Sequence, residues 1–450
     1  MYRLLTKQFI RSRSTVIVTL LVLALGIISV LMGEQFLNKQ QRAIDEVAHY
    51  QQEHIQQNAQ WHADDLGLLL YYLRFTFINS FDPLTALSIG QRDVNSSIQR
   101  VTIRGLEGQK YDTDLHNPTN LQVGNLDFGF VIIYLFPLLI IAFTYDLLSE
   151  EKEGGTWRLI SSQASSPLLY LRYKLSVRVG LVYAVWFLLW VFALLKLPLS
   201  LDMNTLVFIV LSGLYLVFWL ALCAWVVSWQ RSSSFNALSL LSVWVVLAVL
   251  LPASLNSLLA NLYPVPEALS TMVEQRDGYH EKWDLEKETT MNSFFAEYPQ
   301  YQKYSVPEEG FSWLWYYAMV HLGDAESRQS SEAMREKIRQ REQASRIAAW
   351  FIPPLHTQLL FNDLAQSSLD NYLSFLDGTE DFHEKMRLYF YPKIFEEASV
   401  GKENWESFTP EYFADAPEVN GVLAFAPLLL LTIGLFAFAV LNARKLKALE

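Results

Sequence analysis

The sequence predicts an all-α polytopic membrane protein with six transmembrane helices and two large, mainly helical extracytoplasmic insertions. Three observations carry that prediction. Six apolar runs reach or approach the roughly 20 helical residues that cross a bilayer core of about 30 Å, and none holds Asp, Glu, Lys or Arg in its interior. Basic residues gather at both termini. Long polar stretches separate the first run from the second and the fifth from the sixth.

The runs are Thr15 to Gly33, Phe128 to Tyr145, Val179 to Leu195, Met203 to Trp229, Phe235 to about Leu259, and Val422 to Leu441. The first is too long, and too poor in small residues near its end, for a cleaved signal peptide, so it reads as an anchor. The chain then divides into a tail with the first span (1–33), a first insertion (34–127), the second span (128–145) and a connecting segment (146–178). Spans three to five (179–259), a second insertion (260–421) and the last span with its tail (422–450) complete it.

Orientation follows from the flanks. Arg3, Lys7, Arg11 and Arg13 precede the first span without an acid among them, and Arg444, Lys445 and Lys447 follow the last. The positive-inside bias places both termini in the cytoplasm, which an even number of spans permits. The connecting segment and the turn at Arg231 fall on the same side. That side holds 13 basic and 5 acidic residues, the other 22 and 41, so the net charge of −11 is concentrated in the insertions. An acidic exterior argues against nucleic acid as a partner. Cys223, the single cysteine, lies inside the fourth run. The insertions must therefore fold without an internal disulfide, which suits a bacterial inner membrane, and must draw stability from apolar burial, from pairing with each other or from a second copy of the chain.

The first insertion begins as a continuation of the first membrane helix. Leu37, Ile44, Ala48 and Ile55 form one apolar stripe among Gln, Glu, Lys and His, and such a stripe needs a partner surface. Phe81-Asp82-Pro83 and Gly90 mark turns, and Ile98 to Asp114 has a β-tolerant composition. In the second insertion, Glu326 to Arg346 reads as a solvated helix laced with opposite charges, with Glu332 near Lys337 and with Arg335, Arg339 and Glu342 on adjoining faces. Phe311 to Leu322 is apolar but too short to span, so it packs in the domain or lies at the membrane surface. Prolines bracket residues 251–266, where a short re-entrant or interfacial helix is expected.

Motifs for chemistry are sparse. No GxxxxGK[ST] loop is present to cradle nucleotide phosphates. Ion-coupled carriers bury ionisable residues in their spans, and these runs have none, although Asn236, Asn256, Ser212 and Ser242 could line a polar path. His49, His54 and His62 lie near Asp64 and Asp65 but lack the i, i+4 spacing of a helical metal pair, and solvated histidines are the plainer reading. No GxSxG setting supports a hydrolase. The abundant aromatic residues suit interfacial belts and a domain core.

The connecting segment carries the sharpest signal. Ser149 is placed to cap a helix whose first turn holds Glu150, Glu151 and Glu153. Gly154-Gly155 relaxes that helix, and Trp157, Leu159 and Ile160 give an apolar side suited to docking. Pro167 breaks the run before Arg172, Lys174 and Arg178, which would anchor the third span at lipid headgroups. A solvated loop with ordinary anchors is the bland alternative.

The run Glu151-Lys152-Glu153-Gly154-Gly155-Thr156, followed by Leu159, Ser161-Ser162-Gln163 and Lys174, resembles the cytoplasmic signature of ABC-2 type transporter permeases. It departs from that pattern at Ala164, where a proline is common, and at Pro167, where a basic residue is common. The two long insertions, and Pro353-Pro354 ahead of a helical region from Leu359 to Phe382, are similar to a bacterial subgroup of these permeases that carries a DUF3526 domain. The resemblance implies a coupling helix that docks on a separate ABC ATPase subunit, with Glu150, Glu151, Glu153, Gly155, Thr156, Trp157 and Lys174 as its coupling residues. It implies no cofactor on this chain, ATP and Mg being held by the partner. It further implies a second permease copy or a paralogous one, a membrane-lipid environment and spans two and five along the pathway. Two other expectations stand beside the transporter. One is an ABC-driven machine that passes force to a periplasmic partner without moving cargo; the other is a receptor or anchor with no ATPase.

Overall fold

The computed structural model describes residues 2–110, 126–163, 167–265, 281–305, 310–414 and 421–447. Six helices are long and apolar enough to cross a membrane: Arg13–Trp61, Phe128–Glu153, Leu169–Lys196, Met203–Val227, Ser233–Leu262 and Leu423–Asn442. The second and fourth are the most buried and form the centre of the bundle; the fifth is the least buried.

A short helix α1 (Tyr2–Arg11) ends at Ser12, whose extended backbone separates it from α2 (Arg13–Trp61). Helix α2 is 49 residues long, about 74 Å at 1.5 Å per residue, and so continues far beyond the bundle. Leu37, Ile44 and Ile55 of its stripe are buried, as expected, and Ala48 is half-buried. The polar Gln51 on the same face is also buried: its amide accepts from Thr76 N at 2.7 Å and donates to Phe408 O at 2.8 Å.

The second span opens with Asp127 accepting from Phe130 N at 2.7 Å. A π-helical turn, Val131–Leu135, leads into α4 (Phe136–Thr144), which carries Pro137. Proline cannot donate to the carbonyl four residues earlier. That carbonyl, Ile133 O, accepts instead from the buried Tyr215 hydroxyl at 2.8 Å, which ties the two central spans together. The fifth span repeats the device: helix α9 (Ser233–Val245), a π turn at Val246–Leu250, then α10 (Leu251–Leu262) with Pro252 at its start. Ser233–Leu262 is thus one continuous helix, and the separate re-entrant piece expected from residue 251 is not formed. A widened turn just ahead of the proline absorbs the lost hydrogen bond without breaking the helix.

The third span lies in α7 (Pro167–Lys196), the fourth is α8 (Met203–Val227), started by Asp202 accepting from Thr205 N at 2.8 Å, and the sixth lies in α15 (Gly421–Lys447). Residues from both insertions cover one end of the bundle. Phe361 stacks on Phe208 at 4.0 Å between centroids, and Leu84, Ala86, Leu87, Leu364 and Ala365 join the bundle core.

Beyond this cap, the insertions fold together into one domain with its own core. Its helices are α3 (Leu66–Tyr72), α11 (Lys287–Glu297), α12 (Trp313–Ala349), α13 (Pro353–Leu364), which reaches back to the bundle, and α14 (Leu369–Phe395). A small three-stranded sheet accompanies these helices. Strand β1 (Phe75–Asn79) pairs antiparallel with β2 (Ile98–Val101) and parallel with β3 (Glu411–Phe413). The β-tolerant composition foresaw β2. Strand β1 was missed because FTFIN is buried on both faces and shows no alternation.

Helix α12 also revises a reading. Leu314 to Val320 are buried in the domain core, in line with expectation, but the solvated helix read over Glu326 to Arg346 is only part solvated. Ser327, Ser331, Met334 and Arg335 form a buried stripe facing α14. Its charges reach mostly across helices: Arg335 meets Asp377 and Glu380, each at 2.6 Å, Arg339 meets Asp377, and Arg346 forks onto Asp363 at 2.5 and 2.7 Å, while also pairing along α12 with Glu342 at 2.9 Å.

The interior between α12 and α14 holds buried charge. Arg387, 1% exposed, lies 3.8 Å from Asp324 and 2.5 Å from Glu384. Beside it, burial and the Arg387 and Lys110 cations hold His383 well below its ordinary value of 6.5. The unfolded chain protonates this imidazole near 6.5 while the folded chain does not, so the stability it lends is full above that pH and is lost as pH falls. The cost is about 1.4 kcal/mol for each pH unit below 6.5. Glu380 and Glu384, whose burial is outweighed by cationic neighbours that lower them, add to the loss only near and below the ordinary carboxylate range. Asp324, raised by burial, opposes it there. The denaturant midpoint of the domain is therefore expected to drop between pH 7 and pH 5. Burial and the Arg387 cation also lower His321, to about 3, so His383→Gln is expected to reduce that slope without abolishing it; an unchanged slope in the variant would refute the assignment.

Candidate functional site: the connecting segment

The segment sits at the end of the bundle opposite the domain, built from the free ends of several spans. Helix α4 leaves carbonyls without helical partners. Arg178, on α7, donates to Phe143 O and to Asp146 Oδ1, both at 2.6 Å, and Asn236, on α9, donates to Tyr145 O at 3.0 Å. These contacts fix where the chain leaves the second span.

Helix α5 (Ser149–Glu153) follows. Ser149 does not cap it: the N-cap position is Leu148, and the Ser149 hydroxyl bonds to Ser233 Oγ at 2.7 Å. Lys174, 7% exposed, donates to Glu150 Oε2 at 2.7 Å and to Glu151 Oε1 at 2.9 Å. Tyr170, one helical turn earlier on α7, donates to the same Glu151 oxygen at 2.7 Å, while Thr156 Oγ1 donates to the other at 2.5 Å. On the opposite flank, Glu153 accepts from Ser233 N at 2.7 Å and Ser233 Oγ at 2.9 Å, and Lys152 donates to Gln230 Oε1 at 2.8 Å. Glu153 thereby meets the start of α9, where exposed N–H groups favour a carboxylate.

Gly155 ends α5 with φ +73°, the left-handed conformation that favours glycine, and a side chain there would point into open space. Helix α6 (Trp157–Gln163) follows. Trp157 packs with Leu147, Leu148, Val227, Leu171 and Leu175 in a small satellite core. The outer rim is Gly154, Gly155, Thr156, Arg158 and Ser162, all exposed.

The structure thus gathers Glu150, Glu151, Thr156 and Lys174 into one cluster, sends Glu153 to the fifth span and Trp157 inward, and leaves Gly155 on the rim. Lys174 and Arg178 are corrected: they are buried and paired with Asp146, Glu150 and Glu151 rather than extended to headgroups. Residues 164–166, with Ala164, lie outside the described residues. Tyr170, Gln230, Ser233 and Asn236 were not foreseen as parts of this site. Tyr170 alone had a sequence signal, one turn ahead of Lys174 on the same helical face. Elsewhere, the three histidines of the first insertion serve separate ends: His49 meets Glu53 at 3.4 Å, His54 bonds Tyr72 O at 3.2 Å and His62 stacks on Tyr72. Among the described residues, no three His, Cys, Asp or Glu side chains gather as a metal site.

The fold and this segment define a multi-pass, predominantly helical membrane protein whose two ends differ sharply in size. Residues 268–413, spanning most of the second insertion, match the family described as Domain of unknown function (DUF3526). The match lies outside the connecting segment. No curated protein and no solved structure matches the chain.

Proposed function

We propose that this chain is the membrane-spanning permease subunit of an ATP-driven ABC-2 type transporter, an exporter of the bacterial inner membrane with both termini in the cytoplasm. In this reading it works as a homodimer, or beside a paralogous permease, and the connecting segment is the coupling helix for a separate ATPase subunit that binds ATP and Mg. The observation that carries the reading is a glycine-ended turn, exposed at residues 154–156, whose supporting carboxylates are tied to the third and fifth spans. A partner pressing on that turn moves membrane helices directly. Because Glu150 and Glu151 are engaged within the chain, they stiffen the lever while Gly155, Thr156 and α6 meet the ATPase. Differential affinity of this surface for open and closed ATPase supplies the drive. The resemblance at Glu151 to Lys174 and the family match at 268–413 support the same reading.

The test is copurification with the ATPase encoded beside the gene. The full chain is expected to yield a complex that hydrolyses ATP, deletion of 149–163 to abolish it, and Glu153→Lys to lower ATPase stimulation while the fold survives. Failure of the intact chain to associate would overturn the proposal.

A second reading, a force-transmitting machine that moves no cargo, is favoured by one observation: α2 passes unbroken from the first span into the distal domain. Reconstituted complex that turns over ATP, moves no solute or lipid and captures a periplasmic protein through residues 260–421 would support it.

A further inference from the structure

We propose that the end of α12 nearest the bundle, with the turn that follows it, inserts into the leaflet of the bilayer on the domain side. The partner surface is the upper acyl-chain and glycerol region of the lipid, and the insertion fixes the height of the domain on the membrane.

The argument begins with level. Arg341 Nε donates to Tyr263 O at 2.6 Å, at the end of the fifth span. Six residues past Trp350, His356 Nε2 lies 2.9 Å from Ala424 O, at the start of the sixth. Phe361 stacks on Phe208 inside the bundle core near the start of the fourth. Residues 347–351 are therefore bracketed, before and after in the chain, by contacts to the domain-side ends of three spans.

At that level the surface is apolar. From Ile347 to Leu355 the chain carries no charged residue. Ile347 is 63% exposed, Trp350 43% and Phe351 76%. The preceding turn ends at Arg346, which is pulled inward onto Asp363 and Glu342 rather than outward beside the tip. Helix α10, against which α12 packs, exposes Leu258 and Leu262. The lipid-facing surface of the fifth span thus continues onto the domain.

An exposed phenylalanine next to a tryptophan leaves apolar surface wet, which is costly in water. Trp has the opposite preference at a bilayer boundary, where its ring is buried and its N–H stays near polar headgroups. Other exposed aromatics of the domain, such as Trp61 and Tyr72, lie near the far end of α2, well beyond the bundle, and do not share this setting. Lipid is the occupant favoured by continuity with the spans.

The proposal is tested on the full-length protein in phosphatidylcholine liposomes. Phe351→Cys is labelled with an environment-sensitive fluorophore, and quenching by iodide in water is compared with quenching by phosphatidylcholine carrying a nitroxide on its upper acyl chain. Tyr50→Cys, exposed on α2 above the bundle, serves as the water-facing control, and the chain with only the buried Cys223 gives the background. The probe at 351 is expected to be quenched several-fold more by the lipid nitroxide than by iodide, with the order reversed at 50. Iodide quenching at 351 equal to that at 50 would overturn the proposal. So would shielding of the probe from both quenchers, because it would mean that a second copy or another protein covers the tip.

Discussion

Arg387→Met is expected to destabilise the large domain by about 3–5 kcal/mol, the cost of removing one partner from a buried ionic pair. Arg387 is 1% exposed and Asp324 2%. Among the described residues, the guanidinium is the cation that pairs with the Asp324 carboxylate across α12 and α14, and it also meets Glu384. Asp324 cannot turn to water, because its Oδ1 accepts from the backbone of Glu107 at 2.7 Å. Unfolding in denaturant, followed by protease sensitivity of purified protein, would read the loss. The double variant with Asp324→Asn is expected to recover part of it, since an asparagine oxygen keeps the Glu107 bond without the charge. If the single variant unfolds at the same denaturant concentration as the parent, the pair is not a support of the fold.

The second large effect is expected at Gly33→Val, at about 1–3 kcal/mol from overpacking. A Cβ at this position would fall on the backbone carbonyl of Ala86. Backbone cannot swing aside as a side chain can, so the loop from Leu84 to Ile89 has to lift from α2. That loop also carries Leu87, whose carbonyl accepts from Gly129 N at 2.8 Å, and Ile89, whose N–H meets Asp127. The variant should therefore loosen the start of the second span as well as the loop. Faster hydrogen exchange at residues 84–89 and 127–130, with the domain core unchanged, would be the signature; exchange indistinguishable from the parent would refute it.

Much of this architecture was legible because membrane helices obey one dominant rule. A charge-free apolar run of about 20 residues has few alternatives, and all six were read from composition. The stripe from Leu37 to Ile55 was legible for a similar reason, being a single helical period. What escaped were features fixed by distant partners. Strand β1 has β2 on one edge but on the other β3, more than three hundred residues away in sequence, and the burial of Ser327, Ser331 and Arg335 depends on α14. At the connecting segment the residue types were legible but their partners were not. Lys174 and Arg178 read as membrane anchors because nothing local shows that three carboxylates fold back onto them.

The parallel pairing of β1 with β3 has a consequence for how the protein is made. Strand β1 occupies residues 75–79, yet one of its two neighbours is residues 411–413, just before the last span. During synthesis the first insertion has to wait, with one strand edge unpaired, until five spans and nearly all of the second insertion have emerged. Contacts of such sequence separation form late and leave sticky edges exposed meanwhile. Residues 411–413 are thus the step that completes the sheet, and a chain ending before them would leave one edge of β1 permanently unzipped.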